Sequence, residues 1–115
     1  MTTTPTARLV AAGLDRVTAA ICAVPTSATR DPREHSRRAD RLHILYARRA
    51  RWWAVLERAA TTDPTIPLVY LRAVVHARCT ADQQATEWAM TADRWLDHAR
   101  ALDVAGTARV RSVAA

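Results

Sequence analysis

The sequence predicts an all-α protein, a four-helix antiparallel bundle with a long central second helix and a short third helix. The 115 residues include two Gly and no Phe, a composition in which little opposes helix formation. Apolar residues recur at alternating spacings of three and four, which is the periodicity of helices packed in a bundle. Prolines separate these segments and no strand pattern or hairpin dipeptide occurs. We therefore expect one helical domain over residues 1–115, with residues 1–6 as a loose lead.

The first helix is predicted to run from Pro5 or Thr6 to Val24. Gly13 either permits close approach of another helix or is a weak point. Pro25 ends the helix, because proline cannot continue it. The apolar seam of this helix consists of Val10, Leu14, Val17, Ile21 and Val24.

The second helix carries most of the charge. Asp31 is its predicted N-cap, followed by Pro32 at the first helical position and Glu34 at capping-box spacing. Residues 33–60 contain no Gly or Pro, so they are expected to form a helix about 42 Å long. They hold eight Arg and three acidic residues, which gives +5 of the formal net charge of +6.

At about 100° per residue, this helix has an apolar side and a basic side. The basic side is a stripe of six arginines with two apolar residues among them. Like charges three or four residues apart repel by roughly 0.2–0.5 kcal/mol per pair. The stripe therefore costs helix stability unless an anionic partner lies along it. Its members are Arg33, Arg37, Arg41, Ile44, Arg48, Arg51, Val55 and Arg58.

Arg38 and Arg49 project from the apolar side of the same helix. A buried guanidinium needs a carboxylate or carbonyl partner, because an unpaired buried charge costs several kcal/mol. Either each arginine finds such a partner inside the bundle, or this side is an interface. Arg49 has a third option, in which its stem lies over Trp53 and its charge stays in water.

Prolines also separate the second helix from the third. The short third helix is predicted to begin near Pro67 and to end at Cys79, because residues 80–83 have the spacing of a capping box for a fourth helix. Gly106 is expected to end the fourth helix. Residues 107–115 are then predicted to be a loose tail.

Cysteine usage and hydropathy bear on location. Cys22 and Cys79 are expected to be reduced and packed as small hydrophobes, with one disulfide between them left open as an alternative. The start of the chain lacks the charged and apolar regions of a secretory signal. No apolar run approaches the ~18 residues of a membrane span. We therefore expect a cytoplasmic protein with no membrane partner.

Motifs that hold metals, cofactors or reaction centres are not found. The four His show neither His-x3-His nor the paired Glu-x-x-His of di-iron bundles. The sequence contains no Gly-rich phosphate loop, nucleophile elbow or paired-Cys metal motif. The sequence therefore predicts a non-enzymatic protein with no cofactor, no metal and no catalytic residue.

A ribonuclease of the HEPN type is the least favoured alternative. The Arg-x4-6-His spacing of those enzymes occurs three times, including Arg38 with His43. Chance alone predicts nearly as many matches in a chain this rich in Arg. Ala39 also stands where those enzymes have Asn or Asp, so we claim no resemblance.

Binding is the function that the charge pattern favours. The leading hypothesis is a small basic accessory or regulatory protein whose arginine stripe docks on a polyanion, with nucleic acid as the first choice. The competing hypothesis is a protein-interaction module, either a homo-oligomer or bound to an acidic protein surface. Ile44 and Val55 would then be the anchors among the arginines. The salt dependence of binding distinguishes the two hypotheses, because phosphate contacts weaken steeply with ionic strength.

Overall fold

The computed structural model describes residues 4–26 and 30–114. These residues form the helices α1 (Pro5–Cys22), α2 (Pro32–Thr62) and α3 (Leu68–Ala114). The predicted all-α class is confirmed, but the described residues contain three helices and not four. None of these helices combines the length and the apolarity that crossing a membrane requires.

Thr4 caps the start of α1. Its hydroxyl accepts a hydrogen bond from the backbone N–H of Ala7 at 3.2 Å, which is the usual role of an N-cap threonine. The predicted start at Pro5 is confirmed, so the N-terminal segment before α1 is shorter than the predicted loose segment of residues 1–6. Residues 1–3 of that lead lie outside the described residues. The helix ends two residues before Val24.

The predicted start of α2 is also confirmed. The Asp31 carboxylate accepts a hydrogen bond from the backbone N–H of Arg33 at 3.0 Å, and Pro32 occupies the first helical position. At the other end, the Asp63 carboxylate accepts the N–H of Thr65 at 2.9 Å and its hydroxyl at 2.6 Å. These hydrogen bonds lower the pKa of Asp63 and fix the turn into α3.

The predicted break after Cys79 is wrong. α3 runs without interruption for 47 residues, because no Gly or Pro lies near this position to stop it. Thr80, the N-cap of the predicted box, lies inside α3, and Asp82 pairs with Arg78 one turn earlier, at 3.3 Å. The Thr86 hydroxyl donates to the Asp82 carbonyl at 3.1 Å. The predicted third and fourth helices are therefore one helix.

Gly106 does not end α3 either. A glycine that stops a helix adopts a positive φ, and no described residue does so. Residues 107–114 follow Gly106 in helical conformation and include no proline that would interrupt it. The predicted loose tail is therefore wrong for these residues, while residue 115 lies outside the described part.

α2 is the central helix, as predicted. α1 and α3 both pack on α2. α3 runs antiparallel to α2, because Arg33 pairs with Asp103 and Glu57 pairs with Arg78. The molecule measures 77 × 22 × 15 Å, and its radius of gyration is 20.6 Å. A compact chain of this length would have about 13 Å, so the fold is a rod.

The apolar core is small and centres on α2. Leu42 and Leu45 are buried with Val24, and Ile21 and Trp88 pack against them. Most other buried residues are Ala, which lets the helices approach closely without filling much space. The remaining buried apolar residues are Val10, Val17, Ala39, Ala50, Ala60, Ala81, Ala85, Ala92 and Ala99.

At Gly13, α1 packs closely against a side chain of α2. A Cβ atom added to Gly13 would lie 2.1 Å from Cε2 of Trp52, far inside van der Waals contact. The interpretation of Gly13 as a close-approach site is therefore confirmed. The indole of Trp52 occupies the space that any other residue would need.

Candidate nucleic-acid interface

The predicted stripe lies on an exposed side of α2. All six of its arginines are exposed, because α1 and α3 cover other sides of the helix. Ile44 is 44% exposed and Val55 is half-buried. The angular sorting at about 100° per residue therefore places these side chains correctly.

Arg33 differs from the other arginines of the stripe, because its guanidinium binds the carboxylate of Asp103. A second nitrogen of Arg33 lies 3.5 Å from the other oxygen of Asp103. This contact raises the pKa of Arg33 and holds the pKa of Asp103 below its usual range. Arg33 is thus a link between α2 and α3, and we remove it from the candidate site.

The other five arginines have no such partner in the part of the chain that the structure describes. Among the described residues, no carboxylate lies within ion-pair distance of their guanidinium groups. The ion pairs there belong to Arg33, Arg78 and Arg100. We call these five residues the arginine face: Arg37, Arg41, Arg48, Arg51 and Arg58.

Two apolar side chains interrupt the arginine face. Val55 lies beside Trp52 in a shallow depression that Arg48 and Arg51 border. Ile44 is exposed one turn from Arg48. The face therefore offers charge along its length and a small apolar surface near its middle.

Arg38 has a structural role. Its Nε donates a hydrogen bond to the carbonyl oxygen of Pro25 at 2.8 Å. Its guanidinium also lies 5.8 Å from the centre of the Trp88 ring, a favourable cation–π distance. The predicted carbonyl partner is confirmed, and Arg38 ties the end of the α1 segment to α2 and α3.

Arg49 is also engaged within the fold. Its Nη2 donates to the hydroxyl of Thr18 on α1 at 2.8 Å, and its guanidinium lies 5.4 Å from the centre of the Tyr46 ring. The hydrogen-bond partner is thus a hydroxyl and not a carboxylate or carbonyl. The ring beneath the guanidinium is that of Tyr46, while Arg49 and Trp53 line one shallow depression.

The histidine of the ribonuclease alternative faces α3. His43 is half-buried, and its Nδ1 donates a hydrogen bond to the carbonyl oxygen of Ala85 at 2.9 Å. Arg38 is held by Pro25, so each residue of the proposed pair has a different structural partner. The structure gives His43 the role of a hydrogen-bond donor that links α2 to α3.

Both cysteines are exposed and free. The expectation that Cys22 and Cys79 pack as small hydrophobes is therefore wrong. Cys22 is in the last turn of α1, and Cys79 lies about 120° round α3 from the position of Ala85, which faces α2. The open alternative of a disulfide between them is not what the structure shows.

No family model matches this chain, and neither a curated protein nor a solved structure matches it. Among residues 4–26 and 30–114, no cluster of three His, Cys, Asp or Glu side chains is placed to hold a metal ion. The arginine face is therefore the feature of the described surface on which a functional proposal rests.

Proposed function

We propose that this protein binds nucleic acid through the arginine face of α2, as a non-enzymatic accessory protein. The observation that carries the proposal is the set of five exposed guanidinium groups with no described carboxylate at ion-pair distance. Each guanidinium presents a planar fork of donors that matches a phosphate group.

The length of the face supports the proposal. Arg37 and Arg58 are 21 residues apart on one continuous helix, which is about 31 Å at 1.5 Å per residue. This is the length of about nine base pairs of duplex at 3.4 Å each. A row of phosphates therefore matches the spread of the arginines, whereas a single small anion would meet only one or two of them.

A row of phosphates would also stabilise α2 itself. Arg37 and Arg41 are four residues apart and Arg48 and Arg51 are three apart, so each pair repels along the helix. Phosphate groups between them would cancel this repulsion. Binding and the stability of α2 are therefore coupled.

The test is fluorescence anisotropy with labelled duplex DNA and single-stranded RNA, at salt concentrations from about 50 to 200 mM. The variant changes Arg37, Arg41, Arg48 and Arg51 to Gln. We expect a logarithmic salt slope near −4.5 for the natural protein on duplex and near −1 for the variant, because about 0.9 counterions are released per phosphate contact. The variant should bind more weakly than the natural protein at 50 mM salt, and between about 50 and 200 mM its affinity should fall by about 4-fold, against roughly 500-fold for the natural protein.

The matched control changes four exposed arginines outside the arginine face to Gln, so it has the same net charge as the first variant. Those residues are Arg8, Arg16, Arg72 and Arg94. If this control loses as much affinity and slope as the first variant, net charge and not the arginine face drives binding. If the natural protein binds neither nucleic acid at low salt, the proposal is wrong.

A second candidate function is binding to an acidic protein surface, because Ile44 is 44% exposed among the arginines. A phosphate row makes no use of Ile44, whereas a protein interface would bury it. Ile44→Ser should therefore leave the affinity for nucleic acid within a factor of about two, a change of about 0.4 kcal/mol. A large loss of nucleic-acid affinity in Ile44→Ser would instead indicate contacts beyond phosphate.

A further inference from the structure

Trp52 brings an aromatic ring to the edge of the arginine face. It lines a shallow depression together with Val55. Arg48 and Arg51 border the same depression, and each of these four residues lies three or four positions from two of the others, so they are neighbours on the helix surface. The depression has a volume of about 390 Å³, near the lower end of the roughly 300–1,000 Å³ of small-ligand pockets. This size suits one small planar group.

The first helix holds the Trp52 ring in place. A Cβ atom added to Gly13 would lie 2.1–2.5 Å from Cδ2, Cε2 and Cζ2 of Trp52, three carbons of the six-membered ring of the indole. The backbone of α1 therefore lies directly against this ring and stops it from turning towards α1. Trp52 is half-buried and not fully buried, so part of it stays open to the depression. A ring that is already fixed loses little freedom when a ligand binds.

Two other tryptophans are already in contact with a cation or a ring. The guanidinium of Arg38 lies 5.8 Å from the centre of the Trp88 ring. The ring of His35 is stacked on Trp95, with centres 4.4 Å apart. Residues 93–103, which surround Trp95 in the sequence, contain three Asp and two Arg, and a negative stretch repels phosphate. Neither ring combines an open surface with positive surroundings, as the Trp52 ring does.

Trp53 is similar to Trp52 in type and burial but not in surroundings. It lies about 100° round α2 from Trp52, on the side away from the arginine face. It lines a different depression, with Arg49 as the arginine there. That guanidinium already donates to the hydroxyl of Thr18 at 2.8 Å. A phosphate at Trp53 would therefore meet one guanidinium, and that one is engaged within the fold.

We propose that the depression at Trp52 binds one unpaired base of a single-stranded nucleic acid whose phosphates follow the arginine face. The inference rests on the proposed function and names the class of nucleic acid that the arginine face prefers. Stacking on an aromatic side chain accepts any base, because every base has a π-face. The bases of a duplex are stacked on one another, so one of them must be flipped out to enter the depression. A single strand presents its bases without that cost.

The arginines are placed on both sides of this base site. Arg37 and Arg41 precede the depression along α2, and Arg58 follows it. Arg48 and Arg51 lie at its border. A strand that runs along α2 therefore has phosphate partners before and after the base that enters the depression. Because the site offers stacking and charge, we expect only a weak preference among the four bases.

The first test compares two single strands of equal length by fluorescence anisotropy, one with all its bases and one made entirely of abasic sites. Both strands carry the same phosphates, so binding to phosphate alone does not distinguish them. We expect the natural protein to bind the strand with bases roughly 5- to 150-fold more tightly, which is the effect of stacking one base. This ratio should stay nearly constant with salt, because both strands make the same phosphate contacts.

The variant for this test is Trp52→Leu, and Trp53→Leu is its matched control. Each replaces one half-buried tryptophan of α2 by leucine and leaves the net charge unchanged. In Trp52→Leu the ratio of the two affinities should fall towards one, while the salt slope stays that of the natural protein. In Trp53→Leu the ratio should not change. Circular dichroism checks that both variants keep their helices.

A second measurement leaves the chain unaltered, and it decides the question if Trp52→Leu loses its helices. A single strand that contains a photoreactive thio-uracil base is irradiated with the natural protein. The protein is then cleaved after arginine, and the crosslinked peptide is sequenced by mass spectrometry. We expect the crosslink in the peptide of residues 52–58, at Trp52 or Val55. A crosslink at Trp53, or crosslinks confined to other peptides, would overturn the proposal.

The outcomes separate this inference from the proposed function. If the natural protein binds neither duplex nor single strands, the proposed function is wrong and the base site falls with it. If the protein binds through the arginine face but does not distinguish the strand with bases from the abasic strand, the proposed function stands and the base site is overturned. An equal loss of the ratio in Trp52→Leu and Trp53→Leu also overturns the base site.

Discussion

α2 has a covered section, residues 42–62, where both α1 and α3 pack, and a thin section, residues 32–41, where α3 is the principal neighbour. In the covered section Leu42 and Leu45 are buried with Val24. In the thin section the contacts include the Arg33–Asp103 pair and a hydrogen bond from the Ser36 hydroxyl to the Ala92 carbonyl at 2.9 Å.

This difference matters because apolar burial and exposed polar contacts are not equally strong. A fully buried Leu side chain contributes about 1.5–3 kcal/mol, whereas exposed ion pairs contribute much less and weaken with salt. The covered section therefore holds the fold together. The thin section and residues 104–114 of α3 beyond it are the part of the molecule whose stability a partner can change.

The largest effect that separates the two sections should come from leucine truncation. Leu42→Ala removes a side chain that is 4% exposed and should lower the free energy of unfolding by about 2–5 kcal/mol. Leu102→Ala removes one that is 51% exposed and should change it by less than about 0.5 kcal/mol. Urea unfolding of each variant against the natural protein measures both changes. Equal losses would show that the covered section is not the core.

The two glycines provide an intermediate effect of opposite sign. Gly13→Ala places a methyl group against Trp52, so overpacking of about 1–3 kcal/mol should outweigh the gain in helix propensity and lower the melting temperature. Gly106→Ala meets no atom within 4 Å and should raise the free energy of unfolding by about 0.5–1 kcal/mol. Thermal unfolding of each variant against the natural protein compares them. A stabilising Gly13→Ala would mean that the Trp52 ring moves aside.

The smallest expected effect is a pH dependence of the stability that the thin section contributes. Arg33 lowers the pKa of Asp103 in the folded state, so the folded state binds fewer protons than the unfolded state at acid pH. The contribution is present above the unfolded value of about 3.9 and is lost as pH falls through the lower folded pKa.

Asp103→Asn should therefore have a lower urea midpoint than the natural side chain at neutral pH, and the difference should shrink at acid pH. Asp93→Asn is the control, because Asp93 is exposed and forms no ion pair with a described residue. A difference for Asp103→Asn that is constant with pH would contradict the role assigned to the Arg33 contact.

Local signals in the sequence predicted some of these features and not others. Asp31 and Pro32 predicted the start of α2 because capping depends on neighbours in the chain. The exposed side of the arginine stripe followed from helix periodicity, but the removal of Arg33 from it did not. The capping-box spacing at residues 80–83 failed as a boundary, because that spacing marks a start only where something ends the preceding helix.

Long-range pairings were beyond such signals. Asp103 reaches Arg33 because α3 is continuous and returns along the whole of α2, and four shorter helices would have placed it elsewhere. The Thr18 hydroxyl that accepts from Arg49 depends on how α1 rests on α2. A burial pattern is readable from periodicity, but the identity of a partner on another helix is not.

The position of α2 between its two neighbours also limits how such a chain can change in length. One residue added or lost in the middle of α2 would turn everything after it by about 100°, moving Trp52 away from Gly13 and splitting the arginine face into two. The segments between helices, such as residues 63–67, can accept insertions without this rotation. Divergence in this protein should therefore proceed in α2 by replacement of side chains, and in the connecting segments by changes of length.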